Sequence, residues 1–153
     1  MRRQSKAIIA VAALGVLAGV TMIRAQRRHR STAELEAACG LAGVFCRHGD
    51  YDAAIQAYTA LMKQTRNAPF VRLGLAGAYV GKGDLDKAEE QYRTLLAADP
   101  DSPVALFDLG QCLLLQKRQA EAAEPLRRFI AMYGREWPDL ARQAEAAAVQ
   151  PPL

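Results

Sequence analysis

Between residues 33 and 149 the apolar positions recur at three- and four-residue spacing, the pattern of helices with one buried face. The pattern itself repeats with a period of 34. Leu41, Leu75 and Leu109 stand at that spacing, and so do Ala42, Ala76 and Gly110. Ala54, Ala88 and Ala122 form a third set. Tyr58 and Tyr92 are followed by Leu126, and Leu61 and Leu95 by Phe129. Gly49-Asp50 returns as Gly83-Asp84. Each unit therefore reads as two amphipathic helices, with glycine ending the first and aspartate capping the second. The alanines and Gly110 are small where paired helices must approach closely. The tyrosines and leucines are large where the space between layers must be filled.

This pattern resembles the tetratricopeptide repeat (TPR), carried here by the period of 34, the small residues at its eighth and twentieth positions, and the run from Gly83 to Pro100. The twenty-seventh position departs from the family by being leucine or phenylalanine. The resemblance implies an all-α solenoid of helical hairpins, a TPR domain over 33–149. Its repeats fall at about 35–68, 69–102 and 103–136, with a C-terminal capping helix over 137–149 and a short tail over 150–153. Ser31-Thr32-Ala33-Glu34 reads as a capping box opening the first helix. The third repeat departs most. Lys117 replaces the turn glycine, and Pro125 falls inside the second helix, where it should kink the helix or delay its start.

The N-terminal segment has a different character. From Ala7 to Ile23 only Thr21 is polar, and a basic tail over 1–6 and a basic linker over 24–32 flank the run. As a helix of roughly 25 Å it sits at the short end of what spans a bilayer. It reads as a single transmembrane signal anchor in front of the repeats. A cleaved signal peptide is the alternative, but its best site, Ile23-Arg24-Ala25, has a bulky residue at −3 and a charge between. Positive charges flank both ends almost equally, so the side on which the repeats lie stays open. Gly15 and Gly19 form a GxxxG pair that would serve as a homodimer face.

Charge follows the same division. Residues 1–30 carry seven basic groups and no acid. The remainder carries 13 basic and 16 acidic residues, giving −3, which argues against a nucleic-acid partner. Cys39, Cys46 and Cys112 show no CxxC spacing, and seven residues of helix place the first two roughly 10 Å apart, too far for a disulfide. His48 beside Cys46 lacks the companions of a metal site or a catalytic base. No phosphate-binding glycine loop occurs. The expectation is a non-enzymatic protein with no cofactor, metal or catalytic residue.

By resemblance, the first helices of the pairs line a concave groove. In the second repeat Phe70, Leu73, Gly77 and Val80 would face it. In the third, Val104, Phe107, Gln111 and Leu114 would do so. Leu75, Tyr79, Leu106, Leu109 and Leu113 already supply a core face, so this second stripe reads as surplus, free to hold an apolar peptide or helix. The chaperone-binding members of the family hold a C-terminal carboxylate with lysine, asparagine and arginine. This chain has Cys39, Gly43, Gly74, Val104 and Asp108 at the matching positions, none suited to a carboxylate. The implied function is a membrane-tethered protein-interaction adaptor of a bacterial inner membrane, serving assembly or quality control of a membrane or envelope complex. A self-associating scaffold is the alternative reading.

Overall fold

A computed structural model describes residues 33–65 and 68–149. The chain divides into two compact units at Ala38 and Cys39. Of the first unit, residues 33–38 are described and helical. The second unit opens with helical residues 39–47 (α1) and continues through α2 (Tyr51–Gln64), α3 (Pro69–Lys82), α4 (Leu85–Ala98), α5 (Pro103–Leu115), α6 (Gln119–Tyr133) and α7 (Pro138–Val149). From α2 onward each helix packs on the next, and α7 also touches α5. No strand occurs among the described residues.

The packing explains the period. Ala42, Ala76, Ala54, Ala88 and Ala122 are fully buried, as small residues must be where helices approach closely. At Gly110 even a methyl group would meet Leu126, at 2.4 Å. The period then runs one step further than the repeats do. Ala144 lies 34 residues after Gly110 and is also fully buried. The capping helix thus stands in the register of a first helix of a further hairpin, with Arg142, Gln143 and Glu145 turned outward.

The turns follow the same register. Gly49 and Gly83 adopt φ of 78° and 88°, and their hydrogen bonds back to the preceding helix have the same pattern. Gly83 N donates to Val80 O and Asp84 N to Tyr79 O, which together close the helix. In the third repeat Lys117 takes the same left-handed conformation, φ 62°, and Lys117 N and Arg118 N donate to Leu114 O and Leu113 O. The turn is kept although its glycine is lost.

Two expectations are corrected. Asp50 caps α2 through Ala53 N, but Asp84 makes no such bond to α4 and pairs instead with Lys87 Nζ at 3.1 Å. Pro125 does not delay α6, which starts 34 residues after α4 just as α4 starts 34 after α2. The proline is buried in the hairpin, where helix packing holds the turn that its missing N–H weakens. Among the described residues no helix is long and apolar enough to cross a membrane. The anchor expected over 7–23, with Gly15 and Gly19, and the start of the capping box at Ser31 and Thr32 lie outside the described residues.

Candidate functional site

Proline at the first position of α3 and α5 sets where each helix begins and hence which residues share a face. At 100° per residue, Val104, Asp108, Gln111 and Leu115 fall within an arc of about 60° on α5. Their partners 34 residues earlier on α3 are Phe70, Gly74, Gly77 and Gly81. Phe70 is 51% exposed, Val104 42% and Leu115 58%. The α3 face is nearly bare of side chains, and aromatic rings from α2 lie against it. A Cβ on Gly74 would meet the Tyr58 ring at 2.5 Å, and one on Gly81 the Tyr51 ring at 2.1 Å.

Beside this exposed strip runs a second, deeper one. Leu73, Val80, Phe107 and Leu114 are half-buried and pack against the core. The Phe107 ring lies 5.2 Å from that of Phe129, which in turn stacks on Trp137 at 5.9 Å. This corrects the view that the stripe has no internal role. Four of its members brace the core while showing one edge, and their truncation must cost stability as well as any contact they make. Of the residues expected in the groove, Phe70 and Gly77 are exposed outright and Gln111 is half-buried. The outer surface of α4 contrasts with this strip. It presents Asp86, Lys87, Glu90, Arg93 and Thr94, all exposed.

Asp108 is the residue whose importance the pattern concealed. It is the sole charged side chain of α5, and burial pushes its carboxyl up to about 6. The neighbouring Tyr92 phenol is raised as well, first by its own burial and then by Asp108. Cys39, Cys46 and Cys112 are free thiols that burial pushes up, Cys112 to about 11. Among the described residues no cluster of histidine, cysteine or acidic groups could hold a metal ion.

Helical hairpins stacked in register, with an apolar strip along successive first helices, define a repeat solenoid. Residues 73–141 match the family model described as the tetratricopeptide repeat, a module of protein interaction rather than catalysis, and the described residues form an all-helical, TPR-like solenoid. Solved structures share this fold. The type III secretion chaperone SycD of Yersinia enterocolitica, in complex with a peptide of the translocator YopD, is 24% identical, with a TM-score of 0.68 over 75% of this chain and 89% of that one. The Sgt2 TPR domain from Aspergillus fumigatus is 21% identical, with a TM-score of 0.68 over 78% and 86%. The TPR2B domain of yeast Sti1, in its pHsp70 complex, is 18% identical, with a TM-score of 0.67 over 74% and 92%. No curated protein matches the chain.

Proposed function

We propose that this protein is an adaptor that seats an apolar segment of a partner protein along α3 and α5. The contacts are Phe70, Leu73, Gly77 and Val80 on one helix and Phe107, Gln111 and Leu114 on the other. The observation that carries this reading is Phe70, a large aromatic half in solvent on a face otherwise built of glycine. The ring offers a partner an anchor, and Gly77, where a Cβ would meet nothing within 4 Å, leaves room to approach it, while Gly74 and Gly81 are covered by the Tyr58 and Tyr51 rings. Two of the solved structures that share the fold are complexes with a translocator peptide and with pHsp70, which supports a binding role for such a face. We further propose that residues 7–23 hold the protein in a membrane, because their only polar residue is Thr21. So placed, the adaptor would act in assembly or quality control of a membrane complex.

A photo-crosslinking side chain placed at position 70, and separately at exposed Thr94 on the outer surface, tests the site in intact membranes. Adducts to a foreign protein at position 70 alone are expected. Adducts only at position 94 would move the site to the outer surface. Self-adducts alone would make the protein a scaffold. N-terminal sequencing of the same sample checks the anchor, and a mature start near residue 26 would remove it.

A further inference from the structure

The charged groups of α3 and α5 divide sharply. Arg72 donates to Gln91 Oε1 at 2.6 Å, and Lys82 pairs with Asp52 at 2.6 Å. Asp108 has no ion-pair partner among the described residues. It is half-buried, and its flanking residues on the same face are the exposed apolar side chains of Val104 and Leu115. The corresponding position on α3 is Gly74, which has no side chain of its own and carries the ring and neutral hydroxyl of Tyr58 against it rather than a cation. The titratable neighbour from α4 is the Tyr92 phenol, a neutral group at physiological pH.

We propose that the partner segment carries one lysine or arginine among apolar residues, and that this cation pairs with Asp108 while its neighbours lie on Phe70, Val104 and Leu115. The inference rests on the groove reading above. Its physical basis is complementarity. A carboxylate partly removed from water and left without a cation is costly, and a cation delivered with its own apolar flanks recovers that cost on binding. A neutral apolar segment would leave the charge buried deeper and unanswered. An acidic one would add repulsion. The raised pKa of Asp108 agrees with a carboxylate that burial disfavours and no internal charge relieves.

The test uses the full chain in detergent and a labelled set of twelve-residue peptides built from leucine, phenylalanine, alanine and serine. Each carries one central residue, which is lysine, arginine, glutamine or glutamate. Fluorescence anisotropy at pH 7.5 reads affinity. Lysine and arginine peptides are expected to bind about tenfold tighter than the glutamine peptide, and the glutamate peptide weakest of all. Asp108→Asn, nearly isosteric, should erase that ranking with circular dichroism unchanged. Asp108→Lys should invert it in favour of glutamate. Equal binding of all four peptides, or a lysine preference that survives in Asp108→Asn, would overturn the proposal while leaving the groove reading intact. If no peptide of any charge binds, both are overturned.

Discussion

The second and third repeats show how much chemical change a repeat can absorb without changing shape. Both run helix, left-handed turn, helix, with equal spacing and the same turn hydrogen bonds. Yet Gly83 becomes Lys117, Asp84 becomes Arg118, Gly74 becomes Asp108, and Tyr92 becomes Leu126. Where Asp84 forms a local pair with Lys87, Arg118 reaches back to Glu89 of α4 at 2.6 Å and forward to Glu121. Glu89 is the buried charged residue of the second repeat, held by Arg93 from its own helix and by Arg118 from the next hairpin. The shape is thus set by the small and large apolar positions. The polar positions are free to diverge, and in the third repeat they have taken up a link between layers and a carboxylate in the groove.

If the aromatic cluster is what firms the third repeat, its loss should show the largest effect. Phe129 is fully buried and lies near the rings of Phe107, Tyr133 and Trp137. Phe129→Ala should cost about 3–5 kcal/mol, from lost burial and the cavity left behind. Leu95→Ala, the matching change in the second repeat, should cost less, since Leu95 is 9% exposed and is a smaller side chain. Urea denaturation of both variants makes the comparison. Equal losses would mean that the ring contacts add nothing beyond area.

The small positions come next. Ala88 is fully buried where α4 meets its neighbours, and Ala88→Leu should cost about 1–3 kcal/mol by overpacking. Ala122→Leu should do the same one repeat later. A melting curve unchanged in either variant would show that this hairpin is looser than its register implies.

Burial of Asp108 gives a third, pH-dependent difference between the repeats. Its folded pKa, about 6, lies above the unfolded value of 3.8, so the folded state holds this proton more tightly. The contribution of Asp108 is therefore most favourable at low pH and is lost as pH rises from about 4 through 6. Discounted for partial solvent access, the loss at neutral pH is on the order of 1–2 kcal/mol. Asp108→Asn should raise the melting temperature at pH 7.5 and leave it nearly unchanged at pH 4. An equal gain at both values would point to a cause other than the charge.

Most of the fold is legible in the sequence because period and residue size are local, repeated signals. Ala42, Ala76 and Gly110 mark the crossings, and Gly49 and Gly83 mark the turns. Depth is harder to read. Phe70 and Leu73 are three residues apart on one helix, yet the first is half in solvent and the second packs on the core. Helical periodicity supplies an angle, whereas exposure depends on how close the next layer comes. The Glu89–Arg118 pair joins residues 29 apart in different hairpins, and no spacing rule reaches that far. Asp108 is visible in the sequence as a residue unsuited to holding a carboxylate. Only its burial without a cation makes it a candidate for the opposite charge.

The smallest expected effect sits at the turn. Lys117 is a non-glycine residue at φ 62°, where its Cβ crowds the backbone, while Gly49 and Gly83 hold the same turn without that contact. Glycine there would relieve the strain but would also free the unfolded chain, a cost of about 0.4–1 kcal/mol. Since left-handed backbone costs a side chain about 1–2 kcal/mol, Lys117→Gly should stabilise by roughly 0.5–1 kcal/mol, a shift of a few degrees in melting. Gly83→Lys, the reverse exchange, should destabilise by a similar amount. Exchanging both residues at once should return the protein close to its starting stability, because the two turns have the same backbone hydrogen bonds and the Gln116–Asp86 bond that joins them uses neither exchanged side chain. If Lys117→Gly is instead neutral while Gly83→Lys is costly, the turns differ in how they bear strain. The third repeat has then adjusted around its lysine, and the likeness of the two turns stops at their hydrogen bonds.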